Sequence, residues 1–334
     1  MRSGNLERED SDVSASSAKD ARPATAPSTP ADDDEACRTE PAPTRRAQVC
    51  HRWRCEARVA VAPARWSGDP SACHAGELDA DAAERALRML NVHRFLAGVA
   101  PVDVEPTWTD AAQQCALVAH ANAKLSHTPP SDWRCWSDLA AATSAVSLIA
   151  NRSAPPAIAA FVEDPGNEPT MVHRRWLLSE ELERIGIGST DRYSCVVVDG
   201  RGLGPAAESG GVKPTSANVG GADDDQEPEP AARGWVAWPP PGPVPMDVFT
   251  SERLDEMGWT IQSSTDDLDR ATVTVSSEGK ALAVRIERLA PMLGSRSAIR
   301  FVPDGWKTEP ERSYVVRVAG ERSFEFTVEP TACP

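Results

Sequence analysis

The sequence predicts an α+β protein in two folded parts: a mixed helical and β domain, then an all-β, immunoglobulin-like sandwich. Two changes of period predict it. Ala83, Leu87, Leu90 and Arg94 recur at spacings of three and four, the period of one helix face. From Trp235 the period becomes two: Val273 and Val275, then Leu282, Val284 and Ile286, then Tyr314, Val316 and Val318, then Phe324, Phe326 and Val328. Alternation with Gly and Pro breaks makes the short half-buried strands of a sandwich. A third observation separates the parts: a Gly-, Pro- and acid-rich stretch that reads as a flexible linker. The 334 residues have room for two domains of ordinary size. The expected boundaries are a disordered segment over 1–48, a first domain with an irregular N-terminal coat over 49–200, a linker over 201–233 and the sandwich over 234–334.

In chain order, residues 1–48 are rich in Ser, Ala, Pro and Asp and lack periodicity. The first helix opens at Asp79 or Asp81, with Glu84 in its first turn, and Gly98 stops it. His93, late in this helix, reads as an ordinary surface or core histidine. An extended connector runs from Pro101 to Pro106. The second helix starts at Thr109-Asp110, carries a small-residue stripe (Ala112, Cys115 or Ala116, Ala119, Ala123) and ends at Pro129-Pro130. That ending places His127 at a helix C-terminus, two turns from His120 on a shared face. Asp138 to Ile149 is Ala-rich and expected to be helical. Pro155-Pro156 suits the first turn of a helix over Ala157 to Glu163. Asp164-Pro165-Gly166-Asn167 is a turn, and Thr170 caps the helix that carries His173 and Trp176 on one face. Ile185 to Gly188 and Arg192 to Val198 read as strands. Trp238-Pro239-Pro240-Pro241-Gly242-Pro243 is expected to be extended, an ordered bridge between domains.

Charge and cysteine content bound the function. A net charge of −15 argues against a nucleic-acid partner, which needs Lys and Arg at its phosphates. The acidic runs at Asp32–Glu35 and Asp223–Glu227 read as solvated chain. No run approaches the roughly 18 apolar residues of a transmembrane segment. The eight cysteines lack the paired spacing of a zinc site, so disulfides in an oxidising compartment are expected. The first ten residues have no apolar core of a signal peptide. Either the chain starts elsewhere, or export takes another route, or the thiols stay reduced. Cys50 and Cys55 flank His51, a spacing open to a metal, a local disulfide or two separate bridges. A bridge between Cys115 and Cys135 is expected to pin the His127 loop, a contribution of about 3 kcal/mol. Cys73 with Cys195 is a second candidate pair, leaving Cys333 for Cys37, Cys50 or Cys55.

Among the six histidines, His127 and His173 each sit beside a helix-like apolar run and form the pair expected to share a site. Asn91-x-x-Arg94, Leu125-Ser126-His127, Val172-His173-Arg174-Arg175-Trp176-Leu177-Leu178 and Ile185-Gly186-Ile187-Gly188, in that order, resemble the CAP superfamily of cysteine-rich secretory, antigen 5 and pathogenesis-related proteins. The likeness covers Leu78 to Gly200. Pro-Pro after the first histidine and the later Trp-Pro-Pro-Pro-Gly resemble bacterial multi-domain members. The resemblance implies a CAP-type α-β-α sandwich and an extracellular or cell-envelope setting. It also implies a cleft with two histidines and two acids, which in some members holds zinc. His127 and His173 match the histidines, and Asp164 matches the second acid, with Glu163 as the near alternative. Val146 stands where the first acid belongs. The implied metal set is therefore His127, His173 and Asp164, without a clear general base for a hydrolase. Three functions follow: non-catalytic recognition of a lipid, glycan or protein at a cell surface; a divalent-metal-dependent hydrolase; or a structural envelope protein. A nucleophilic Ser126 is a variant of the second, although adjacency to His127 in sequence makes no hydrogen bond.

Overall fold

The chain's computed structural model describes residues 37–57, 64–201, 203, 233–248 and 251–333. Residues 1–36 and nearly all of the 201–233 linker lie outside that set. Order begins earlier than composition suggests. Helix α1 (Arg45–Arg52), capped by the Thr44 side chain and continued by a π turn over Trp53–Ala57, starts inside the segment expected to be disordered. Two crosslinks hold it: Cys37 to Cys55 within the segment, and Cys50 to Cys333 at the other end of the chain. The Cys50–Cys55 spacing thus serves two separate bridges. Local composition carries no trace of a partner 283 positions away.

Helix α2 (Ala80–Ala97) is capped by the Asp79 carboxylate and closed by Gly98 at φ 72°, as its sequence predicts. Asn91 exchanges two hydrogen bonds with Val102. Arg94 is fully buried and donates to the carbonyls of Ala100, Leu177, Ser179 and Leu182. Burial lowers its guanidinium to about 10, still charged at neutral pH, and the four carbonyls compensate it. The Asn-x-x-Arg pattern is therefore a fastener between α2 and distant backbone.

Strand β1 (Asp103–Val104) precedes α3 (Pro106–Asn122), which begins before Thr109 because Pro106 takes the first helical position. It also ends early, at Ala123 with φ 51°, so His127 lies in a loop and not at a helix terminus. His120 does not join it: its ring packs against Trp66 and Tyr193. Helix α4 (Asp138–Ala145) stops four residues short of Ile149, and Ser147–Ala150 is strand β2. Here pairing overrides local propensity, because Ser147–Ala150 hydrogen-bonds antiparallel to β4 (Ser194–Val197). Helix α5 (Ala154–Glu163) takes Pro155-Pro156 into its first turn. Met171, at φ 48°, rather than Thr170, starts α6 (Val172–Leu177). Strand β3 (Arg184–Ser189) completes a sheet of order β1-β3-β4-β2.

Alternation along β4 builds the three layers. Cys195 and Val197 pack with Ala111, Ala112, Cys115 and Ala116 of α3. Val196 and Val198 pack on the other side, in the core that holds α2 and α5. Gly186 and Gly188 let α3 lie directly on the sheet: a Cβ would sit 2.4 Å from the Trp108 carbonyl carbon and 2.1 Å from that of Ala112. This close layer explains the crosslinks. Cys115 faces β4 and bonds to Cys195, not to Cys135 as expected. Cys135, in a loop beside Pro70, bonds to Cys73, so the expected Cys73–Cys195 pair is also corrected.

The second part is a sandwich of two sheets. One has β10 (Val284–Arg288), β11 (Ser297–Pro303), β7 (Trp259–Ser263) and β5 (Trp235–Trp238). The other has β6 (Gly242–Pro245), β13 (Phe324–Thr331), β12 (Tyr314–Ala319), β8 (Thr272–Ser277) and β9 (Lys280–Leu282). A short helix, α7 (Ser251–Met257), precedes β7. The proline run is not a bridge between domains: it crosses from one sheet to the other, and Pro243 and Pro245 sit on the edge strand β6, which spares them ladder N–H groups. One hydrophobic core runs through both parts, from Leu90 and Val196 to Ile261 and Val328.

Candidate functional site

A cleft of about 350 Å³ opens where the front domain meets the sandwich. Its walls are His127, the turn from α4 into β2 (Ala145 to Leu148), the cleft face of α6 (Val172, His173, Trp176), Val198 and Asp199 beyond β4, and Leu293 from the β10–β11 loop. The two histidines singled out from sequence therefore meet in one hollow. Most of the wall is apolar side chain. Val146, standing where the resemblance wants an acid, is part of it.

Each imidazole is oriented from behind. His127 Nδ1 lies 2.9 Å from the Ser144 carbonyl, which can only accept, so Nδ1–H donates. His173 Nδ1 lies 2.9 Å from Asp164 Oδ1. The Asn167 amide also donates to that oxygen at 2.9 Å, and the 3.2 Å between Asn167 Nδ2 and His173 Nδ1 closes the triangle between two donors. Asp164 Oδ2 accepts the backbone N–H groups of His173 and Arg174. Both Nδ1 atoms are thus committed, and Nε2 is the nitrogen that each ring has left for a ligand.

Asp164 was expected as a ligand beside the histidines. The structure sets it one layer back: it is 0% exposed, it is absent from the cleft wall, and both oxygens are occupied. Glu163 is elsewhere too. It pairs with Arg253 of α7, and its carbonyl accepts from Arg174. The implied zinc set is therefore not assembled. A carboxylate and carbonyl behind two imidazoles is the outer support that metal-ligating histidines have. The third donor does not fit, and among the described residues no group of three or more His, Cys, Asp or Glu side chains is placed to hold a metal.

Two of the cleft residues missed from sequence stand apart from the rest of the wall. Asp199 is the cleft carboxylate, and the hydrogen-bonded Arg201 guanidinium holds its pKa below the usual carboxylate range. Its signal was its position directly after the Val196-Val197-Val198 run. Leu293 belongs to the other domain. Its signal was an apolar Pro291-Met292-Leu293 run in a loop, of which Met292 is 74% exposed.

That loop is seated on α6. Arg175 donates to the carbonyls of Ala290 and Ser295 and to the Ser295 hydroxyl. Arg174 donates to the Gly258 carbonyl and the Thr260 hydroxyl, and Gln262 donates back to the Arg175 carbonyl. Gly294 lies so close that a Cβ would be 2.6 Å from the Trp176 nitrogen.

Residues 87–198 match the family model described as CAP, the cysteine-rich secretory protein family. No curated protein and no solved structure matches the chain.

Proposed function

The chain belongs to the CAP superfamily through residues 87–198, and on that premise we propose that its histidine cleft is a non-catalytic recognition site for an amphiphile in an extracellular or cell-envelope setting. The observation that carries this is the pairing of two pre-set acceptors, His127 Nε2 and His173 Nε2, with a wall of Val146, Leu148, Val172, Trp176, Val198 and Leu293. Such a site binds an apolar body and accepts from a hydroxyl on it. Of lipid, glycan and protein ligands, a lipid-like molecule matches that wall best. Four disulfides support an oxidising compartment. Among the described residues no helix is long and apolar enough to cross a membrane.

The hydrolase reading lacks support at its base and its third ligand. Asp199 is engaged by Arg201, and Ser126 donates no hydrogen bond to His127: its hydroxyl accepts from the Thr128 N–H.

Titration of the intact protein with dodecanol, followed by tryptophan fluorescence, tests the proposal. Saturable binding that falls at least ~10-fold in both His127→Ala and His173→Ala is expected, from loss of a buried hydrogen bond and its packing. No saturable binding, or binding indifferent to both substitutions, overturns it. A parallel zinc titration keeps the alternative open to test: tight binding lost in both variants points to a metal centre.

A further inference from the structure

A second hollow, about 380 Å³, lies at the opposite end of the same strand pair. The β2–β4 register runs from Ser147 opposite Val197 to Ala150 opposite Ser194. The histidine cleft takes its walls from the first end, through Ser147 and Val198. The second hollow takes its walls from the other, through Asn151, Arg152, Ser153, Asp191, Arg192 and Tyr193.

Donors dominate this second lining. Among the described residues, the Arg152 and Arg192 guanidinium groups are exposed and have no side-chain partner, whereas 13 other arginines form ion pairs with carboxylates, in a chain of net charge −15. Ser153 occupies the cap position of α5 without capping it. The reason is chemical. A cap side chain bonds the N–H of the second or third helical residue, and here those are Pro155 and Pro156, which have none. Its hydroxyl is thus left unused by the helix that normally consumes it. Tyr193 is only 8% exposed, lines the same hollow, and its hydroxyl has no partner among the described residues. The single acid, Asp191, has an oxygen 3.5 Å from His120 Nδ1.

We propose that this hollow binds a sulfate or phosphate group. Two guanidinium forks supply paired N–H donors matched to the oxygens of such an anion, and the Ser153 and Tyr193 hydroxyls and the Asn151 amide supply single ones. The volume exceeds that of the anion, which leaves room for an attached sugar.

Calorimetric titration of the intact protein with sodium sulfate, at ionic strength held constant with chloride, tests the site. Saturable binding is expected, weakened at least ~10-fold by Arg152→Gln and by Arg192→Gln and unchanged by the control Arg270→Gln on the sandwich surface. Asp191→Asn is expected to tighten it several-fold by removing a like charge. Glucosamine 6-sulfate forms the second arm: binding tighter than inorganic sulfate identifies a sugar ester as the ligand, and equal binding identifies the free anion. The substituted residues are exposed, so unchanged melting temperatures verify that the variants fold. Heat that does not saturate, or that is the same in the Arg152, Arg192 and Arg270 variants, overturns the proposal. The histidine cleft takes no part in this experiment, so failure here leaves the amphiphile reading standing.

Discussion

Arg174 and Arg175 leave α6 toward the sandwich, and His173 and Trp176 leave it toward the cleft. The two faces of this six-residue helix obey opposite rules. On the sandwich side both guanidinium groups are buried, at 2% and 0% exposure, and their donors reach carbonyls and hydroxyls of the sandwich and of the front domain. On the cleft side the His173 ring has one nitrogen anchored and one left over, as has the His127 ring across the cleft. A saturated face can only hold things together. An unsaturated, oriented face has bonding capacity to offer a ligand. The motif that looks from sequence like a single signature is therefore half fastening and half site.

The sharpest way to break this contrast is at the fastening. Arg174→Ala strips donors from the Val162, Glu163 and Gly258 carbonyls and leaves buried Asp164 without its nearby cation. A loss of about 3–5 kcal/mol is expected in denaturant unfolding with disulfides intact; a loss under ~1 kcal/mol would show that the seam is wet.

A third histidine supplies the next test. His93 is 1% exposed, between Trp53 and Trp238, with Nδ1 on the Met89 carbonyl, and burial pushes it down to about 4. The folded value lies below the unfolded 6.5, so the unfolded chain takes the proton first as pH falls. Its stabilising contribution is complete above pH 6.5 and drains away as pH drops toward 4, by up to about 3 kcal/mol. His93→Gln should flatten that part of the stability profile; an unchanged slope would show that other groups cause it.

Smaller effects belong to the loop between the two faces. Gly294→Ala places a methyl against the Trp176 backbone at φ 71° and is expected to cost about 1–3 kcal/mol while lifting Leu293 from the cleft. Leu293→Ala should change stability by less than ~1 kcal/mol, since the side chain is only partly buried, yet weaken dodecanol binding by about 5–10-fold. Equal affinity for the Leu293→Ala protein would mean that the sandwich does not take part in recognition.

Much of the front domain was readable in advance. Asp79 and Gly98 bound α2 because a carboxylate and a left-handed glycine suit helix ends in any surroundings. The small-residue stripe of α3 was legible, but not that Gly186 and Gly188 of β3 let that helix lie directly on the sheet. The shared hollow of His127 and His173 was read from their neighbours, but Asp164 was assigned the wrong task. Its position matched, and nothing in a position says that both of its oxygens are consumed by the Asn167 amide, the His173 ring and the backbone N–H groups of His173 and Arg174. The end of α4 was missed for a related reason: Ser147 to Ala150 joins a strand supplied by residues almost fifty positions later.

Periodicity, caps and glycines are local properties, settled by the steric and hydrogen-bonding demands of a few adjacent residues, and they were enough to specify an α+β body with a sandwich behind it. Which cysteine meets which, which way each face of α6 looks, and that a leucine of the second domain closes the histidine cleft are matters of distance in space. They depend on how buried surfaces match when layers pack, and that matching is written in no single stretch of the chain.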